Sequence, residues 1–378
     1  MLYSLLTPLS DTLAGANVFR YISFRTAWGV LTALLIASVL LPRFIRRMKA
    51  LKVEQIIRED GPESHRLEKQ GTPTMGGIAI IGGVVCSTLL WARIDQPVTW
   101  LVLVVFVGYG LIGFVDDYLK VVRQTPAGLS GRYKIMGQVL IGGGVLVYAQ
   151  LNGVIEPVVH LPFLKNATID FAQLYTGAPV GLAWLYLLFG LVVLVGASNA
   201  VNLTDGLDGL AIGPVMTSAA TYGVVAYLAG NAKFAEYLAL PYIEGAGELA
   251  IFSFAIVGAG LGFLWFNCHP AQVFMGDVGS LALGGALGAI AIFTKHEILL
   301  VVVGGVFVVE ALSVIMQTSW FKYTRRTSSD GVGRRVFLMA PIHHHFERKG
   351  WAESKVIVRF WIISVMLALV ALSTLKLR

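Results

Sequence analysis

Residues 98–118 read VTWLVLVVFVGYGLIGFVDDY: eighteen residues without a formal charge run straight into Asp116 and Asp117. As a helix, such a run crosses a hydrocarbon core of ~30 Å. Nine further apolar stretches lie near residues 26–41, 75–91, 135–151, 181–198, 207–228, 248–266, 278–293, 298–320 and 356–375. The whole composition agrees with them. Of 378 residues 56% are hydrophobic and 13% charged, with a mean hydropathy of +0.73; a soluble domain carries about 25% charged residues. An ordinary cytosolic enzyme, a disordered chain and a nucleic-acid-binding module of the usual kind are excluded, and no nucleic-acid partner is expected. The expected fold is an all-α polytopic membrane protein of about ten transmembrane helices. With no repeat or low-complexity linker to divide it, residues 1–378 read as one domain. The eighth stretch is short and rich in Gly and Ala, which predicts close helix contacts rather than lipid exposure. Residues 1–20 read as an interfacial lead-in, without the basic segment of a signal peptide. Cys86 and Cys268 are too few for a disulfide framework.

Lys and Arg decide the orientation, because they collect in cytoplasmic loops. Segments 42–74, 116–134 and 321–355 hold 20 of the 29, whereas the loops on the other side hold one each. Five loops, including 199–208 and 267–277, are therefore expected in the cytoplasm, with both termini outside. The same five loops contain Asp116 and Asp117, Lys134, Asn199 and Asn202, Asp205 and Asp208, Asn267, Asp277 and the run 343–345 of three histidines. They account for the net charge of +7. The opposite loops show no such clusters, so an active-site cleft is expected at the cytoplasmic face.

Each group has a plain reading beside a functional one. Asp116 and Asp117, at the end of the third span, would sit against an unfavourable helix dipole, which a bound cation or a proton-transfer role would explain. Asp277 opens the eighth span, where it reads equally as an N-cap or as a ligand in a Gly-flanked turn. Asp205 and Asp208, spaced by three across the start of the sixth span, can share a helix face, and hard oxygen donors of this kind suit Mg²⁺ and sugar hydroxyls. The histidines lack zinc spacing and suit phosphate or uracil groups. Glu310, well inside the ninth span, is a functional candidate or a bridge between helices. Together these groups suit a Mg²⁺-dependent reaction of a phosphorylated soluble donor with an acceptor held in the lipid.

The ordered motifs GTPTMGG at 71–77, FVDDY at 114–118, NAVNLTDGLDGL at 199–210, FMGDVGS at 274–280 and MAPIHHHFE at 339–347 resemble the phospho-N-acetylmuramoyl-pentapeptide transferase (MraY) family of the polyprenyl-phosphate sugar-1-phosphate transferases. The resemblance implies a bacterial inner-membrane enzyme of peptidoglycan synthesis. Such an enzyme moves phospho-N-acetylmuramoyl-pentapeptide from UDP to undecaprenyl phosphate, giving lipid I and UMP, and works as a homodimer. It further implies Asp277 as the principal Mg²⁺ ligand, and Asp116 and Asp117 as carboxylates near the lipid phosphate or assisting the metal. Asn202, Asp205, Gly206, Leu207, Asp208 and Phe274 resemble the nucleoside-binding set. Lys69, Thr74, Asn267, Gln317 and His344 fall on neighbouring binding positions, and Lys134, Asn199 and His343 address the phosphates. Ala127 departs from the family pattern, where many relatives have Lys. The rival functions are transfer of N-acetylglucosamine-1-phosphate, against which MAPIHHHFE argues, and secondary transport, against which the one-sided polar clusters argue.

Overall fold

The computed structural model describes residues 1–51, 71–123, 128–162, 164, 167–174, 183–328 and 331–376. Ten long helices stand out among them: α1 (Ile22–Ala50), α2 (Gly77–Trp91), α3 (Pro97–Arg123), α4 (Gly131–Leu151), α5 (Trp184–Thr204), α6 (Ile212–Ala229), α7 (Ala246–Asn267), α8 (Gly276–Phe293), α9 (Gly305–Thr327) and α10 (Glu353–Ser373). All but α2 and α9 are long and apolar enough to cross a membrane. A polytopic all-α architecture follows from the same constraint that shaped the sequence: in hydrocarbon every backbone group must be satisfied within its own helix.

Helix α8 is the centre of the bundle, and every residue from Val278 to Phe293 is buried. Its Gly and Ala residues admit backbones at close range. Gly77 packs on Gly279, Gly113 on the Asp277 carbonyl, and Gly284 on Ala197 and Ser198. Helices α2, α3 and α5 are thereby drawn onto α8, as its composition led one to expect. Around it Phe106, Tyr109, Leu194, Phe252 and Ile290 form one apolar core.

Several expected boundaries move. Helix α3 continues beyond residue 115 to Arg123, so Asp116 and Asp117 lie inside it rather than at its end; Lys120 and Arg123 occupy the last turn, where the dipole favours cations. Helix α6 begins at Ile212, which leaves Asp205 and Asp208 in an interhelical turn instead of on a shared helix face. Gly209 with φ +76° is one residue that breaks the helical path there. The ninth span is two helices, Leu299–Val303 and α9, interrupted at Gly304.

The opposite end of the bundle is more polar than its loops suggested. Arg25 at the start of α1 holds Glu248 of α7 through two bonds of 2.6 and 2.7 Å and also donates to the Trp91 carbonyl. Lys295 Nζ donates to the Tyr186 hydroxyl at 2.7 Å, to the Glu156 carbonyl at 2.9 Å and to Glu297 at 3.1 Å. Polar clusters therefore exist at both ends: Arg25 and Glu248 lie 223 residues apart, and Lys295 reaches the distant Tyr186 and Glu156 as well as the nearby Glu297. Between α4 and α5, Val158–His160 pairs antiparallel with Thr168–Asp170, the short hairpin that the alternation at 158–161 and 167–170 suggests.

Candidate active site

Four helices bring polar side chains, most of them charged, to one point. Asp116 and Asp117 project from α3, Lys134 from the first turn of α4, Asn202 from the last turn of α5 and Asp277 from the first turn of α8. Lys134 Nζ lies 2.6 Å from Asp277 and 3.0 Å from Asp116. Asn202 donates to Asp277 at 2.9 Å and to Ser280 Oγ at 2.8 Å. Backbone amides fasten the other pair: Leu129 N donates to Asp116 at 2.6 Å and Val278 N to Asp117 at 3.2 Å. Thr74 is buried against the same turn, where a Cβ on Gly276 would meet both its hydroxyl and Asp117. Asp277 is thus no N-cap: α8 has no side-chain cap bond, and the carboxylate faces Lys134 and Asn202.

One oxygen from each of Asp116, Asp117 and Asp277 lies within 4.8 Å of the others. Three hard anionic donors so close fit a divalent cation such as Mg²⁺, which prefers carboxylate oxygens and retains several waters. Lys120 also belongs to this cluster, 2.5 Å from Asp116 and 3.3 Å from both Asp117 and Asp277. Sequence reasoning missed it, although Asp116 and Lys120 are spaced i, i+4 on one helix, the separation that lets opposite charges meet.

Beside the acidic cluster the turn 205–211 is tied to its surroundings. Asn267 accepts from Gly209 N at 3.0 Å and donates to the Val273 carbonyl at 2.8 Å. Asp208 accepts from Ala271 N at 3.0 Å and lies 3.3 Å from His269, while its own backbone N donates to Glu353 at 2.9 Å. His269 and Glu353 are partners that no local sequence signal linked to Asp208. The half-buried Phe274 joins this rim through its backbone, donating to the Pro73 carbonyl at 2.8 Å and accepting from Gly76 N at 2.8 Å. Gly206 backs onto His343, and Asp205 is half-buried next to it. His344 Nδ1 is 2.7 Å from Glu347. Gln317 fastens the segment before the histidines, accepting from Val336 N and Phe337 N at 3.0 and 2.9 Å. His345 accepts from Leu338 N at 3.1 Å, and desolvation, then the Lys349 ammonium, hold its pKa below the ordinary imidazole value.

Two expected residues turn elsewhere. Asn199 commits its amide donors to Gln138 Oε1 at 2.9 Å and to the Val195 carbonyl at 2.8 Å, which leaves only its oxygen for a ligand. The Leu207 side chain is core, packed with Leu210, Val306, Val356 and Phe360. Lys69 and Ala127 lie outside the described residues.

The chain is similar to known proteins along its whole length. The model of Glycosyl transferase family 4 matches residues 99–295, a stretch that runs from α3 through α8. Residues 69–81 match the phospho-N-acetylmuramoyl-pentapeptide-transferase signature 1. Proteins named phospho-N-acetylmuramoyl-pentapeptide-transferase from Syntrophus aciditrophicus (strain SB) and Pelobacter propionicus are each 56% identical over 378 residues, covering the whole of both chains. The one from Citrifermentans bemidjiense is 55% identical over the same full length. With its apolar helices, its acidic cluster and likeness along its entire length, the chain belongs to the phospho-N-acetylmuramoyl-pentapeptide-transferase family.

Proposed function

We propose that this protein transfers phospho-N-acetylmuramoyl-pentapeptide from UDP to undecaprenyl phosphate, releasing UMP and forming lipid I at the cytoplasmic face of a bacterial inner membrane. The observation that carries this reading is the buried meeting of Asp116, Asp117 and Asp277 with Lys120 and Lys134 at one end of a helical bundle. Phosphoryl transfer asks a protein for charge neutralisation and in-line positioning more than for covalent chemistry, and both kinds of group are present. Asp277, Asp116 and Asp117 would hold Mg²⁺, which when bound supplies positive charge to the pyrophosphate. Lys120 and Lys134 sit where they can receive phosphate oxygens. Asn202 keeps Asp277 oriented through its 2.9 Å bond. The turn 205–208 with Phe274, Asn267, Gln317 and His344 forms the nucleotide side of the cleft, with Phe274 available to stack on uracil.

In the reaction an oxygen of the lipid phosphate attacks the β-phosphorus of the UDP-sugar. A new P–O bond forms as the β-phosphorus–bridging-oxygen bond breaks, and its electron pair leaves on UMP. A proton on the attacking phosphate passes to Asp116 or Asp117. The chain acts as one domain and as a homodimer, with both termini outside.

The test is transfer by the purified protein with undecaprenyl phosphate, Mg²⁺ and either UDP-MurNAc-pentapeptide or UDP-N-acetylglucosamine. Lipid I is expected from the first donor and no lipid product from the second. Asp277→Asn should lower kcat by roughly 10²–10³-fold, the range for loss of one transition-state charge partner. Near-normal Mg²⁺-dependent transfer by that variant would remove Asp277 from the metal, and a labelled aspartyl phospho-sugar would replace direct attack with a covalent route.

A further inference from the structure

Glu310 is a carboxylate for which the proposed reaction has no task. It lies on α9, a turn and a half beyond Gly305, and is fully buried. An ionisable group in such a place is costly without a partner. Its close partner is His343, also fully buried, with 3.1 Å between Oε1 and Nδ1. The carboxylate oxygens and the ring nitrogens have no other polar partner among the described residues, and at 3.1 Å Oε1 lies within reach of Nδ1. The two groups are committed to each other across 33 residues of sequence.

The far edge of the His343 ring meets the nucleotide side of the cleft. A Cβ built on Gly206 would overlap His343 Nε2, so only glycine lets the turn 205–208 come this close. His343 also packs on His344, with ring centroids 4.1 Å apart. The two nitrogens of an imidazole are not independent: the group bound at one sets the tautomer and direction of the other. Here Glu310 addresses Nδ1 while the Gly206 turn faces Nε2.

We propose that Glu310 is a positioning residue that acts through His343: by engaging Nδ1 it fixes the ring, so that Nε2 and the turn bearing Asp205 and Asp208 keep one geometry during transfer. The proposal deepens the reading above and rests on its placement of the nucleotide at this turn. Glu310 itself touches no substrate. A carboxylate that merely bridged α9 to the helix Ile342–Arg348 would lower stability when removed but leave the kcat of the folded protein unchanged.

The experiment is steady-state kinetics of the purified full-length protein with both substrates and Mg²⁺, on Glu310→Leu, Glu310→Gln, His343→Gln and the two double variants. Glu310→Leu should lower kcat roughly 10- to 100-fold, as loss of an orienting partner does, with KM for undecaprenyl phosphate unchanged. Glu310→Gln keeps an acceptor in place and should recover part of the loss. In the His343→Gln background either change at 310 should cost nothing further, which is the signature of two groups acting as one. Equal losses at 310 in both backgrounds overturn the proposal, as does wild-type kcat in Glu310→Leu. Should Glu310→Leu not purify as a monodisperse protein, Glu310→Gln in the two backgrounds carries the same comparison. Full activity of His343→Gln overturns the reading of the turn as well; an impaired His343→Gln beside an active Glu310→Leu overturns the proposal alone.

Discussion

The spacing of the aspartates is set by a contact between backbones, and one methyl group tests it. Gly113 lies one turn before Asp116 and Asp117 on α3, against the first turn of α8. A Cβ there would run into the Asp277 carbonyl oxygen and carbon and the Val278 nitrogen. None of these atoms can rotate aside as a side chain could, so Gly113→Ala must part the two helices by about 1 Å, at a cost of about 1–3 kcal/mol. The site feels that movement directly. Lys134 spans the two helices, 3.0 Å from Asp116 and 2.6 Å from Asp277, and cannot keep both contacts when they separate. A displacement of about 1 Å in a reacting constellation lowers the rate by roughly 10²-fold. The control stands on the same helix: a Cβ on Gly108 meets only the Ile141 side chain, at 3.0 Å, and Gly108→Ala should cost about 1 kcal/mol or less because that side chain can shift. The assay is kcat at saturating levels of both substrates, paired with the thermal transition of each variant in detergent. Wild-type kcat in Gly113→Ala, or equal losses in the two variants, would refute the reasoning.

Two other substitutions probe charge. Lys120→Met leaves three carboxylates with Lys134 alone; kcat should fall by roughly 10²-fold, while the Mg²⁺ concentration for half-maximal rate falls too, because an ammonium no longer competes for the oxygens. A raised Mg²⁺ requirement would contradict this. At the other end, Glu297→Leu leaves Lys295 buried without its carboxylate and should destabilise by about 3–5 kcal/mol, whereas adding Lys295→Met should restore most of the loss. Burial raises the Glu297 pKa and lowers that of Lys295. The Glu297 contribution to stability is lost as pH rises through its folded pKa, and that of Lys295 as pH falls through its own. Both are at their minimum at pH values above the folded pKa of Glu297 and below that of Lys295, so the double variant should gain most in that window, read as the melting temperature against pH.

What the sequence made legible is what lipid or local periodicity dictates. The spans follow from uninterrupted apolar length, the burial of α8 from its Gly and Ala content, and the hairpin from alternation at Val158–His160. Helix ends were harder, because charged residues such as Lys120 continue α3 for two turns beyond its apolar run. Pairings between distant residues were out of reach: nothing local marks Lys120 as a neighbour of Asp277, Glu353 as a partner of Asp208, or Gln138 as the acceptor that turns the donors of Asn199 away. Asp205 and Asp208 were read as helical from spacing alone, and the turn around them answers to tertiary contacts with Asn267, His343 and Glu353.

The charges of the site explain why lysines alone do not complete it. Asp116, Asp117 and Asp277 bring three formal negative charges and Lys120 and Lys134 two positive ones, so the cluster is anionic by one. Under the proposed function both substrates carry phosphate charge, and an anionic cluster would repel them at short range. The wider +7 excess of the chain draws anions toward the membrane face, but its pull is screened beyond about 10 Å at ordinary ionic strength and cannot reverse the sign at the aspartates. A divalent cation held by the three carboxylates would reverse it, from one negative to one positive, and would leave the two lysines to turn from aspartate to phosphate. Under the proposed function, the ammonium groups of Lys120 and Lys134 that satisfy the carboxylates in this structure would be the same groups that meet the substrate phosphates.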